Sequence, residues 1–245
     1  MRQMHPVTQA ALESDEPVWR EVGLGPWAEV YPHRPRPDRR GDPANFDERY
    51  DTELIEHGDR RNVLDRYRYL SVDAIKQDLD QRGRHSFDVA VENWTHDFNL
   101  GSMVRSANAF GAGRVYIVGP HKWNRRGSLM TELYQHVEHV PTIESLITQW
   151  KQEHNPALDA KYADAKVIAM DIVPGSIPLE TYQFPKHCLL LFGAEGPGLS
   201  SAALEMADDV VHISQYGSVR SINAGAAAAV SMHAWVAQHG VPMQS

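Results

Sequence analysis

Three times along this chain of 245 residues a short aliphatic run ends in a polar, glycine-containing corner that opens onto a helix. The first is FDVAVENWTHDFNLGSMVRSANAFG, from Phe87 to Gly111. The second is CLLLFGAEGPGLS, from Cys188 to Ser200, and the third VVHISQYGSVRSINAGAAAAV, from Val210 to Val230. Strands that alternate with helices in this way predict a mostly parallel sheet covered by helices on both faces, an α/β fold. Corners at the carboxyl ends of parallel strands share one edge of the sheet, so the three are expected to build a single pocket.

The apolar spacing predicts strands at 87–94, 114–119, 134–140, 166–172, 188–192 and 210–213, and helices at 100–110, 143–153, 200–207 and 222–238. In the first of these helices Leu100, Met103, Val104, Ala107 and Phe110 share a face, which turns Arg105 away from the core. Asn99 stands at the N-cap position and Gly111 at the C-cap position. Upstream, residues 1–45 contain YPHRPRPDRRGDP and read as a loosely docked arm. Residues 46–85 read as a small helical extension with a stripe of Val63, Tyr67, Leu70, Ile75 and Leu79, Ser71 as an N-cap and Gly83 as a stop. The α/β domain then occupies residues 86–245.

No run approaches the roughly 20 apolar residues that span a bilayer, and the first residues lack the apolar stretch of a secretory signal. Cys188 is the only cysteine, which excludes an internal disulfide and fits a cytoplasmic protein. The net charge of −8 is unevenly spread, −1 over residues 1–126 and −7 over residues 127–245. An acidic body argues against nucleic acid as a partner, whereas local clusters such as Arg34, Arg36, Arg39 and Arg40, or Lys122, Arg125 and Arg126, offer phosphate-binding patches or solvated surface.

The second corner packs Gly193, Gly196, Pro197 and Gly198 around Glu195, a backbone whose polar groups can face a ligand. It lacks the Gly-Lys-Ser/Thr ending of a phosphate-binding P-loop, and the first corner lacks a dinucleotide fingerprint. In the third corner Ser221 and Asn223 flank Ile222 at a helix start. Glu132, His136 and His139 have metal-binding side chains, but residues three apart on a strand do not share a face, and no metal site is expected. Cys188 sits in an apolar strand as a core thiol. Trp94 and Trp123 are placed either to stack on bases or to pack.

The segments NLGSMVRSANAFG (99–111), LLLFGAEGPGLS (189–200) and VRSINAGAAAAV (219–230) resemble, in order and spacing, the three motifs of SpoU/TrmH-type RNA 2′-O-ribose methyltransferases of the SPOUT superfamily. The resemblance spans residues 87–240. It implies a trefoil-knotted domain, S-adenosyl-L-methionine as cofactor, a homodimer whose active site draws on both subunits, and tRNA or rRNA as substrate. By position, Gly193, Ile213 and Ile222 are implied in the cofactor pocket, and Asn99, Arg105, Glu195, Ser221 and Asn223 in the catalytic polar set. Ile222 replaces the family's usual leucine, a change that conserves volume.

A guanidinium keeps its proton at neutral pH, so the implied role of Arg105 is to bind a phosphate and stabilise charge developing on the 2′-oxygen. Glu195 is expected to orient Arg105 or a backbone segment. Two rival functions share the fold: an RNA-binding protein without turnover, and a methyltransferase directed at a base.

Overall fold

The computed structural model describes residues 23–93 and 99–240, together with Pro6, Gln9 and Glu13. Trp94 and most of residues 1–22 lie outside the described residues. The chain divides into two compact units, Met1–Ile75 and Lys76–Ser245.

In the first unit, helices α1 (Trp27–Val30) and α2 (Thr52–His57) belong to a small core in which Trp27, Ile55 and Tyr69 are buried. The Trp27 and Tyr69 rings meet edge to face, 5.4 Å apart. Trp27 falls in the stretch expected to be a loose arm, so from Gly23 onward that stretch is part of a packed unit. The stripe expected from Val63 to Leu79 is not one helix. Asp59, fully buried, accepts hydrogen bonds from the Tyr69 backbone N–H (2.9 Å) and the Arg61 guanidinium (2.7 Å), folding the intervening chain into a loop with Tyr69 in the left-handed region (φ 61°). Helix α3 (Val72–Arg82) starts only after this loop. Ser71 Oγ accepts from the Ala74 N–H, and Gly83 with φ 85° ends the helix.

The second unit is built on seven parallel strands: β1 (Phe87–Glu92), β2 (Val115–Val118), β3 (Val137–Val140), β4 (Lys166–Met170), β5 (Ile177–Pro178), β6 (Cys188–Phe192) and β7 (Asp209–His212). Their order is β3-β2-β1-β6-β4-β7-β5, and every pairing is parallel. Successive side chains of a strand point to opposite faces, and each face has its own core. Val89, Val91, Leu190 and Phe192 pack under α4 (Asn99–Ala109) and α7 (Ala224–His239). Ala90, Leu189 and Leu191 pack under α5 (Ile143–Glu153) and α6 (Ser201–Met206). Burial on both faces explains why β6 reads as an unbroken apolar run.

The expected strand at 134–140 begins at Val137. Leu129 and Met130, both left-handed (φ 48° and 70°), turn the chain into a 3-10 turn at Thr131–Leu133, and the Tyr134 carbonyl accepts from Arg84 instead of joining the sheet. The two-residue β5 has no periodicity to announce it.

Candidate active site at the carboxyl edge of the sheet

The residues that follow β4, β6 and β7 enclose a cavity of about 380 Å³, within the size range of small-molecule sites. Gly193 to Gly198 form one wall and Ser221 to Ala224 another, with Met170, Ile172, Phe192 and Ile213 supplying apolar surface. The glycine-rich wall is a tight loop closed by a hydrogen bond from the Gly198 N–H to the Ala194 carbonyl (3.1 Å). A β-carbon on Gly193 would collide with the Gly198 backbone, so only glycine closes this loop.

Two carboxylates brace that wall, Asp171 from within the cavity lining and Glu92 from outside it. Asp171, just past β4, accepts from the Leu199 N–H (3.1 Å) and the Ile172 N–H (2.7 Å). Glu92, at the end of β1 and 1% exposed, accepts from the Ser200 N–H (2.7 Å), while its other oxygen is buried without a partner. Ser200 in turn caps α6 by accepting from the Ala203 N–H. Neither acid stands out among the polar residues of the corners; the signal is an acidic residue closing an otherwise apolar run, as in VAVE and VIAMD.

Asn99 joins the three corners. It lies in the first turn of α4 rather than capping it from outside, and its side-chain amide donates to the Glu195 carboxylate. Its Oδ1 accepts from Asn223 Nδ2 (2.9 Å). Asn223 also caps α7, its Oδ1 accepting from the Ala226 N–H (3.1 Å). The space is tight: a β-carbon on Gly225 would approach Asn223 Oδ1 to 3.2 Å and Asn99 Oδ1 to 3.6 Å. A hydrogen-bonded chain thus runs from the second corner through the first to the third, over sequence separations of 96 and 124 residues.

Gly193, Glu195, Ile213, Ser221, Ile222 and Asn223 all line the cavity, with Ser221 and Ile222 at its exposed rim. Asn99 touches two of them. Arg105 is exposed on α4, does not line the cavity, and has no ion-pair partner among the described residues. The carboxylate expected to orient it, Glu195, receives the Asn99 amide. Glu132 receives the Ser128 hydroxyl and His136 pairs with Asp80 (2.9 Å); among the described residues no three metal-ligating side chains converge.

The cavity combines an apolar slot with backbone polar groups, and the buried Gln215 Oε1 on its lining has no protein partner. An acceptor left unsatisfied inside a cavity awaits a donor from a ligand. Such a site offers apolar surface and hydrogen-bonding groups to a small ligand.

Residues 86–233 match the SpoU rRNA Methylase family. The chain is 27% identical over 147 residues to the tRNA (guanosine(18)-2′-O)-methyltransferase of Saccharomyces cerevisiae, covering 58% of this chain and 10% of that one. It is 23% identical over 161 residues to the 23S rRNA (guanosine-2′-O-)-methyltransferase of Acinetobacter baylyi, covering 64% and 63%. Among solved structures it resembles the SpoU methyltransferase AviRb from Streptomyces viridochromogenes, determined in complex with the cofactor AdoMet. The TM-score is 0.55 with 28% identity, over 63% of this chain and 58% of that one. The chain spans less than two thirds of each of these relatives.

Proposed function

Because this chain belongs to the SpoU rRNA Methylase family, we propose that it transfers a methyl group from S-adenosyl-L-methionine to a ribose 2′-hydroxyl of tRNA or rRNA. The observation that carries this reading is the hydrogen-bonded chain Glu195–Asn99–Asn223 beside a glycine-walled cavity. The names of the relatives support the ribose hydroxyl as acceptor, and the bound cofactor of the Streptomyces enzyme supports the donor.

Gly193, Ile213 and Ile222 hold the donor in this reading, with Phe192 and Met170 behind them. When bound, it supplies a methyl group on a positively charged sulfur, ready for in-line attack. The chain's own contribution is positioning. Asn99 fixes Glu195, and Asn223 ties that pair to the start of α7, so the rim residues Ser221 and Ile222 are held at a set distance from the glycine wall.

Arg105 binds the phosphate beside the target ribose and stabilises charge building on the 2′-oxygen. It stands on α4 outside the cavity of its own chain, and a homodimer closes that gap by presenting Arg105 of one copy to the pocket of the other. The methyltransferase domain is assigned to residues 86–245, with the knot implied by its motifs, and the residues before it to a separate extension. A cytoplasmic location fits the buried thiol of Cys188, whose pKa burial raises well above the ordinary range.

Arg105→Ala is expected to lower kcat at least 100-fold in a tritium-transfer assay on total cellular RNA while leaving cofactor affinity within about twofold by calorimetry. Near-normal turnover would remove Arg105 from the mechanism. Alkaline hydrolysis of the product separates the acceptors: a 2′-O-methyl group blocks cleavage at its linkage, and a base methyl does not.

A further inference from the structure

The arginines of the second unit fall into two groups. Arg82, Arg84 and Arg114 are each paired with a carboxylate, at 2.7, 2.6 and 3.2 Å. Arg105, Arg125, Arg126 and Arg220 are exposed and have no carboxylate partner among the described residues. All four lie on or against the segments that carry Asn99 and Asn223, and none of them lines the cavity. Arg105 is on α4, Arg220 stands three residues before Asn223, and Arg125 and Arg126 are in a 3-10 turn, Arg125–Ser128, that packs on α4. In an acidic protein with acids available to pair the other arginines, four exposed arginines without a carboxylate partner on these segments mark the approach of an external polyanion.

The turn is held rigidly against the catalytic helix. A β-carbon on Gly101 would meet the Cα and N of Gly127 and the N of Ser128 at 2.7 Å, so the two backbones touch two residues after Asn99. Ser128 is fully buried, its hydroxyl lying between the Arg125 carbonyl (2.6 Å) and the Glu132 carboxylate. Asn124 Oδ1 accepts from the Arg126 N–H (2.9 Å). The half-buried Trp123 packs on the core and carries the Arg125 guanidinium over its ring at 5.8 Å from the centroid. Both side chains are exposed, Arg125 resting over Trp123, while their backbone is pinned to α4.

We propose that Arg125 and Arg126 form a phosphate-binding subsite for the RNA strand, set by the Gly101–Gly127 contact at a fixed offset from Asn99 and positioned in part by Trp123. The inference rests on the reading of this protein as an RNA methyltransferase and deepens it by naming where the substrate backbone is gripped. Guanidinium groups suit this task because their fork geometry matches phosphate oxygens.

The test uses the full-length chain and its Arg125→Ala/Arg126→Ala variant, with Lys161→Ala, a distant exposed residue paired with Asp159, as the control. Binding of a fluorescein-labelled total tRNA pool is followed by anisotropy at stepped potassium chloride concentrations, and methyl transfer to total cellular RNA is measured in parallel. The double variant is expected to bind tRNA roughly tenfold more weakly. Its slope of log K against log salt is expected to fall by about 1.4 to 1.8, the value for two lost phosphate contacts. KM for RNA rises, cofactor affinity is unchanged, and Arg125→Lys/Arg126→Lys, which keeps the charge but not the fork, recovers the salt slope and only part of the affinity. Unchanged affinity and slope, or no tRNA binding by the wild type, overturns the subsite. If the wild type methylates RNA and the double variant keeps its KM, the subsite fails and the methyltransferase reading stands. If the slope falls as expected but no methyl is transferred by the wild type, the subsite stands and the methyltransferase reading fails.

Discussion

Glu92 illustrates how a residue with no reach into the cavity governs its shape. Its carboxylate, itself buried, receives the Ser200 N–H from 108 residues away. Glu92→Ala is expected to leave that N–H unsatisfied, destabilise the protein by about 1–3 kcal/mol and weaken cofactor binding. Glu92→Gln retains an acceptor and should restore most of both. Parallel thermal melts and calorimetric titrations decide it: equal losses in the two variants would mean that charge, not acceptance, matters. The residue identities at the cavity were legible because polar groups interrupt apolar runs there. Their bonds were not. Nothing in the spacing of Asn99, Glu195 and Asn223 says that the first bridges the other two, since those contacts depend on three corners meeting in space. For the same reason, an arginine correctly placed on the exposed face of its helix could not be seen to lie outside its own chain's cavity.

At the level of elements, periodicity located the strands and helices of the second unit to within a few residues wherever a segment was buried on one or both faces. It failed where side-chain bonding to the backbone overrides propensity. Asp59 folds residues 59–69 into a loop that an apolar stripe alone would have drawn as helix, and the left-handed pair Leu129 and Met130 delays β3. The glycine-rich loop after β6 shows the reverse case, a turn whose composition announces its geometry. Gly193→Ala introduces a collision with backbone rather than with a flexible side-chain end, so the loop must open. The variant is expected to lose at least tenfold in affinity for S-adenosyl-L-methionine and, through strain, about 1–3 kcal/mol of stability, read by calorimetry and by urea unfolding. Unaltered binding would show that the cofactor sits elsewhere.

Across the whole molecule, charge sets the response to acid. Burial would raise the pKa of Asp209, but hydrogen bonds from Lys166 (2.8 Å) and the Tyr182 hydroxyl (2.7 Å) hold it below the ordinary carboxylate value. Asp80, beside Arg84 and His136, is lowered in the same way against its own burial. A depressed folded pKa contributes stability that is complete above the unfolded value and is lost as pH falls through the folded one. Asp88 has the opposite sign. Burial raises it despite the bonds from Trp150 and the Arg114 N–H, so its contribution declines as pH rises above the ordinary carboxylate range. Melting temperature is therefore expected to fall below about pH 4, and Asp209→Asn to flatten that limb. An unchanged acid limb in the variant would assign the loss to other carboxylates.

The bridge from Asn99 to Asn223 also has a consequence in time. Synthesis proceeds from the amino terminus, so a growing chain has made its first corner long before the third exists, and its second only about twenty residues ahead of it. Until Asn223 clears the ribosome, Asn99 and Glu195 have no tether to the closing helix, and a nascent chain surrounded by RNA carries no finished catalyst.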